Sequence, residues 1–278
     1  MKDTILFGDC RETLSAFIDK AQMCVTSPPY YGLRNYGGED KQIGQEDTPE
    51  EYIENLVSVF RSVRDTLTED GTLWLNIGDS YYNYRPGKGQ ALVKQSVSKT
   101  NQDLPSKCNR RGNKLQGYKE KDLIGIPWLL AFALRKDGWY LRQDIIWNKP
   151  NPMPESVRDR CTKSHEYVFL LSKNQNYYFD VDAIKEETRR KRSVWNIKTK
   201  PYKGSHFAVF PPDLVELCIK AGSKKNDIIL DPFMGSGTTA MVSKSLGRYY
   251  LGCELHQEYG KLIEDRIAPY HTNLEKFL

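Results

Sequence analysis

The run Ile228-Ile229-Leu230-Asp231-Pro232-Phe233-Met234-Gly235-Ser236-Gly237-Thr238-Thr239 has the order strand, glycine loop, helix. Glycines let a bound ligand approach the backbone closely, and the helix N-terminus offers free N–H groups to an anion such as a carboxylate. A phosphate loop would need lysine after the second glycine, where Thr238 stands, and a dinucleotide fingerprint would need GxGxxG where only GxG is present. Both nucleotide readings are thereby disfavoured. Beyond the loop, Tyr249 to Cys253 predicts a strand closed by Glu254, whose carboxylate could accept hydrogen bonds from both hydroxyls of a ribose.

Working outward, other apolar runs alternate with helical ones. Thr4 to Phe7 predicts a strand ending at Gly8-Asp9, followed by a helix from Arg11 to about Lys20, and Met23 to Thr26 predicts a strand that runs into Ser27-Pro28-Pro29-Tyr30. Adjacent prolines cannot continue a ladder, so the chain must leave the sheet there. Thr48, Pro49 and Glu51 form a capping-box pattern for a helix to about Leu67, and Gly71 to Ile77 reads as the next strand. Further on come a helix from Ile126 to Arg135, strands over Tyr140 to Trp147 and Glu166 to Leu171, a helix opened by Phe210-Pro211-Pro212, and a helix from Thr238 to Leu246. Strands alternating with helices predict an α/β fold with a mostly parallel central sheet and helices on both faces, with ligands at the carboxyl ends of the strands.

A chain of 278 residues suits one catalytic domain with insertions. Its 39% hydrophobic and 28% charged residues argue against disorder throughout. Six scattered cysteines make no metal-ligand spacing, so neither metal nor disulfide is expected. With no signal-peptide run and no membrane span, a cytoplasmic protein is expected. The net charge is +5, but residues 83–121 hold ten Lys and Arg against two acids, and Lys185 to Lys203 hold eight against two. Concentrated cationic charge suits a polyanion surface, although solvated loops would look the same. Residues 83–121 are read as a basic insertion, and 183–205 as a short basic segment.

The Ser27-Pro28-Pro29-Tyr30 tetrad resembles the catalytic motif of the amino-methylating (N4-cytosine/N6-adenine) DNA methyltransferases. It precedes the glycine loop by about two hundred residues, which resembles the circularly permuted motif order of the family's beta group. Phe7-Gly8-Asp9-Cys10 is similar to the strand end that contacts the cofactor's adenine, and His206 to Pro211 to the motif flanking its methionine part. Asp144 to Pro152 and Ser164 to Phe169 resemble the strands of the target-base side. The resemblance covers nearly the whole chain apart from the basic insertion, and it implies a Rossmann-like fold that uses S-adenosyl-L-methionine.

On this resemblance the cofactor is held by Asp9, Cys10, Phe207, Phe210, Asp231, Pro232, Phe233, Gly235, Ser236, Gly237, Thr238, Thr239 and Glu254. An exocyclic amino nitrogen is a poor nucleophile because its lone pair is delocalised into the base. Acceptors on its two N–H groups favour a pyramidal nitrogen, and by resemblance these are the Ser27 side chain and the Pro28 carbonyl, with Pro29 fixing the loop and Tyr30 stacking on the base. No covalent intermediate is required. The base must leave the duplex to reach such a pocket. Tyr30 is expected against it, whereas core packing is the expectation for Tyr31 and Trp147.

Serine in the first tetrad position resembles the N4-cytosine subgroup, with adenine N6 as the alternative. Double-stranded DNA is the implied partner, contacted by Arg34, Arg110, Arg111, Lys149, Arg189, Arg190 and Arg192. The gap from Tyr178 to His206 is short for the recognition domain often found there. A homodimer and a cognate restriction endonuclease are left open. Competing readings are an amino-group methyltransferase acting on RNA or protein glutamine, and a catalytically silent nucleic-acid-binding protein.

Overall fold

The computed structural model describes residues 1–32, 42–82, 115–199 and 210–271. Its strands are β1 (Thr4–Phe7), β2 (Ala21–Thr26), β3 (Leu67–Ile77), β4 (Tyr140–Asn148), β5 (His165–Ser172), β6 (Val194–Asn196), β7 (Ile228–Asp231) and β8 (Tyr249–Glu254). Its helices are α1 (Cys10–Thr13), α2 (Pro49–Thr66), α3 (Ile126–Lys136), α4 (Pro212–Gly222), α5 (Thr238–Ser245) and α6 (Tyr259–His271). The strands form one sheet in the order β1-β8-β7-β2-β3-β5-β4-β6. Among the described residues only β5 runs antiparallel to its neighbours.

Strand alternation divides the interior in two. Cys24, Leu73, Leu75 and Ile77 join α1, α2 and α3 in one cluster, while Met23, Val25 and Trp74 face α4 and α5 in another. A register shift between Ala21 and Met23 explains why Ala21 and Met23, two residues apart, lie in different clusters. Helices thus cover both faces, as expected for a mostly parallel sheet.

The connections fix where a ligand can enter. From β2 the chain passes through α2 to β3 on one side, and from β7 through α5 to β8 on the other. Because β2 and β7 are neighbours, with Cys24 paired to Leu230, the chain departs in opposite directions between them. That is a topological switch point, and the crevice lies outside its carboxyl ends.

The structure departs from the sequence expectations in several places. The first helix stops at Thr13 and continues only as a tight turn to Ala16, because Phe17 is extended and buried on the way to β2. β3 begins at Leu67, directly after α2. Two elements were not anticipated: α6, and the edge strand β6 within the basic segment 183–205. There Trp195 is buried and stacks on Trp74 with ring centroids 6.3 Å apart. The expected capping box of α2 is present, with Glu51 N donating to Thr48 Oγ1 and Thr48 N to Glu51 Oε2.

Candidate active site

Asp231 ends β7 beneath the glycine loop and is fully buried. Its Oδ1 accepts from the Thr26 hydroxyl at 2.6 Å and from Phe233 N at 3.0 Å, and its Oδ2 accepts from the Thr239 hydroxyl at 2.6 Å. Burial pushes this carboxyl up to about 6, against the lowering effect of those hydrogen bonds. Asp231 and Thr239, both read as cofactor contacts, are therefore engaged with each other and with Thr26. Their first role is to tie the loop to the end of β2, one residue before the tetrad.

The loop is held from three sides. Gly235 N donates to Glu254 Oε2 at 2.7 Å, while His256 N donates to Glu254 Oε1 at 2.9 Å. The Leu255 backbone N–H also favours this carboxylate, which has about four lone-pair sites and so still keeps acceptor capacity. Gly237 has φ +78°, and a Cβ there would lie 2.8 Å from Ile263 Cγ2 of α6. Glycine is thus required both by the backbone conformation and by the close approach of the helix. Arg266 of α6 donates to the Ser236 carbonyl at 2.9 Å, to Ser236 Oγ at 2.5 Å and to Thr238 Oγ1 at 3.1 Å.

The end of β1 closes the same crevice. Phe7 is paired with Glu254, and Gly8 N donates to the Glu254 carbonyl at 2.8 Å, bringing Asp9 and Cys10 beside the end of β8. Asp9 caps α1, with Oδ1 accepting from Arg11 N, and forms an ion pair with the Arg11 guanidinium. Burial raises the Cys10 thiol far above its ordinary range, and it raises Cys253 to about 12. Neither is an activated thiolate. Pro232 is buried and Phe233 half-buried against the core, while Phe210 packs at the entrance to α4.

At the end of β2, the Tyr52 hydroxyl from α2 donates to the Pro29 carbonyl at 2.8 Å, anchoring the proline turn. Pro28 is buried, and Ser27 and Tyr30 are half-buried. The Tyr30 ring lies over Gly78, where a Cβ would stand 2.7 Å from Tyr30 Cε2. Its hydroxyl donates to Glu166 Oε2 at 2.7 Å, and Ser27 Oγ is 3.5 Å from the same phenol oxygen as donor. Burial and the Glu166 carboxylate hold the Tyr30 phenol protonated well above the usual range. Asn76 Nδ2 also donates to Glu166 Oε2, at 3.2 Å, and Lys149 is ion-paired with Glu166 Oε1 while lying over the Trp147 ring.

The tetrad and the glycine loop, read from distant parts of the sequence, thus meet at the switch point. Lys149, read as a DNA contact, is engaged at the base of the tetrad instead of presenting a free cation. Arg189, Arg190 and Arg192 lie exposed, near the sheet edge formed by β6. Arg34, Arg110, Arg111 and Phe207 fall outside the described residues. Tyr31 and Trp147 are buried as expected, with Tyr31 tilted against Tyr52 and Trp147 Nε1 donating to the Ile197 carbonyl. Sequence reasoning missed Thr26, Asn76, Gly78 and Arg266 as parts of the site. Glu166 was read only as lying in a strand of the target-base side.

An acidic strand end and a glycine loop gathered at the switch point of such a sheet define a Rossmann-like cofactor-binding protein. Comparison with known proteins narrows this. The N6/N4 DNA methylase family model matches residues 21–265. Type II methyltransferase M.SmaI of Serratia marcescens is 51% identical over 276 residues, covering 95% of this chain and 90% of that protein. M.Cfr9I of Citrobacter freundii is 46% identical over 277 residues, covering 98% and 89%. The PvuII cytosine-N4-specific DNA methyltransferase has the same fold, at a TM-score of 0.70 and 20% identity over 96% of this chain and 86% of that one. The protein belongs to the N6/N4 family of DNA methylases.

Proposed function

We propose that this protein transfers the methyl group of S-adenosyl-L-methionine to the exocyclic N4 amino group of cytosine in duplex DNA, at a specific sequence. The adjacency of β2 and β7, locked by Thr26 and Asp231, carries this reading, because it sets an amine-polarising tetrad beside a loop suited to that cofactor. The residues present fit the group. Glu254 has acceptor capacity for ribose hydroxyls, and the start of α5 presents N–H groups toward a carboxylate.

When bound, the cofactor supplies an electrophilic sulfonium methyl. Ser27 Oγ and the Pro28 carbonyl accept from the two N–H groups of the target, favouring a pyramidal nitrogen. Tyr30 offers a ring face to a base withdrawn from the duplex. Acceptors fixed beforehand need no reorganisation during the reaction, and holding both reactants in line adds the advantage of proximity. The serine in the first tetrad position supports cytosine over adenine. The exposed Arg189, Arg190 and Arg192 supply cationic density for the phosphate backbone.

The test offers methyl-labelled cofactor with duplex DNA, RNA or protein, followed by hydrolysis of the DNA to nucleosides. Label in N4-methyldeoxycytidine is expected. Label in N6-methyldeoxyadenosine overturns the choice of base, and label confined to RNA or protein overturns the substrate.

A further inference from the structure

Ser27 must act as an acceptor for the amino group, yet a serine hydroxyl can donate as readily as accept. Something has to settle where its proton goes. The hydroxyl lies 3.5 Å from the Tyr30 phenol oxygen, with the geometry of a donor, and that phenol in turn donates to Glu166 Oε2 at 2.7 Å. A carboxylate can only accept, and Asn76 Oδ1, 3.4 Å from the phenol oxygen, is a second and longer acceptor, so both draw the Tyr30 proton away from Ser27 and leave the phenol oxygen to accept from it. At 3.5 Å the Ser27–Tyr30 contact is long, and a Ser27 proton drawn toward the phenol leaves the lone pairs of Oγ for other partners.

From this we infer that Glu166 is a positioning residue that sets the direction of the Ser27–Tyr30–Glu166 hydrogen-bond chain, so that Ser27 Oγ meets the target amine as an acceptor. The inference rests on the methyltransfer reading above. Glu166 stands near the start of β5, the antiparallel strand, and therefore beside the carboxyl end of β3. Its remaining partners hold it in place. Lys149 pairs with Oε1, and Asn76 Nδ2 donates to Oε2 at 3.2 Å while also donating to the Tyr167 carbonyl at 3.2 Å. The three partners reach it from β3, from the residue after β4, and from the tetrad loop, so the carboxylate is held from three separate segments. Gly78 completes the arrangement by leaving room for the Tyr30 ring.

A simple ion pair between Glu166 and Lys149 would support folding without affecting this polarity, and the test separates the two. Glu166→Gln keeps the size of the side chain but brings an amide that can donate to the phenol, so the chain of bonds loses its fixed direction. Single-turnover methyl transfer by Glu166→Gln is expected to fall about 10-fold or more, with cofactor affinity within about twofold of wild type. In a Tyr30→Phe background, where the chain is already cut, the same substitution is expected to cost less than about twofold. Glu166→Asp, which restores an acceptor-only group, is expected to transfer faster than Glu166→Gln.

Independent, multiplicative losses from Glu166→Gln and Tyr30→Phe would overturn the inference. So would wild-type turnover in Glu166→Gln, or Glu166→Gln outpacing Glu166→Asp. All of these leave the methyltransfer reading standing. A wild-type protein that moves no methyl group to DNA removes that reading and this inference together.

Discussion

The Thr26 hydroxyl donates to Asp231 Oδ1 at 2.6 Å, joining residues 205 positions apart in the chain. Thr26 is the last residue before the tetrad, and Asp231 the last before the glycine loop. The bond therefore clamps the proline turn to the glycine turn across two neighbouring parallel strands. Because the donor and acceptor are both buried, losing either leaves the other costly to keep unpaired.

Asp231 makes this clamp sensitive to pH. Its carboxyl is raised to about 6 by burial, so the folded protein retains a proton that the unfolded chain has already released. The stabilising contribution is complete below the unfolded value of about 4 and is lost as pH rises through about 6. Asp231→Asn removes this dependence. The stability of the variant relative to wild type is expected to improve by about 2–3 kcal/mol between about pH 4 and about pH 7, followed by denaturant unfolding without cofactor. A difference that does not change with pH would contradict the assignment.

Ser27→Ala separates chemistry from binding. On the proposed mechanism Ser27 meets the target amine, and its side-chain hydrogen bond runs to Tyr30, so turnover is expected to drop about 100-fold while cofactor affinity stays nearly constant. Rapid-quench transfer and equilibrium titration of the cofactor check the two halves. Equal losses in both would place Ser27 in the cofactor site.

Glu254→Gln reverses the pattern. The carboxylate accepts from the Gly235 and His256 backbone N–H groups, and on the proposed function it also accepts from ribose hydroxyls. Cofactor binding is expected to weaken about 10-fold, in keeping with one charged hydrogen bond being replaced by neutral ones, with transfer at saturating cofactor much less affected. Calorimetric titration would decide, and unchanged affinity would remove Glu254 from the site.

The basic segment offers a third axis. Neutralising Arg189, Arg190 and Arg192 together is expected to make the dependence of DNA binding on salt shallower by about 2–3 in logarithmic slope, since each phosphate contact contributes about 0.9. A slope equal to that of wild type would exclude this face from the backbone contacts.

Strands β2 and β7 and the loop after β7 were legible in the sequence because short apolar runs ended in proline or glycine punctuation, and β8 because its apolar run closes on Glu254. The tetrad was legible for the same reason, while the adjacency of its strand to that of the glycine loop emerges only from the sheet order. β6 was hidden because its three residues lie among charges, and only Trp195 among them is buried. Helix α1 was overextended, since nothing in its composition announces that Phe17 must turn inward. The least legible part was the polar network. Glu166 reaches Tyr30 across 136 positions, and Arg266 reaches Ser236 across 30, through contacts that depend on tertiary geometry and leave no local pattern. The ion pair of Lys149 with Glu166 was equally hidden, because charge alone does not announce a partner 17 positions away.

The central claim is that the glycine loop and the tetrad form one composite site with a single reactive axis. A crystal structure with bound S-adenosyl-L-methionine tests it most directly. The account predicts ribose hydroxyls at Glu254, the amino-acid part near the start of α5, and the sulfonium methyl directed toward Ser27 Oγ and the Pro28 carbonyl. A cofactor bound away from the glycine loop, or one whose methyl points away from the tetrad, would contradict it.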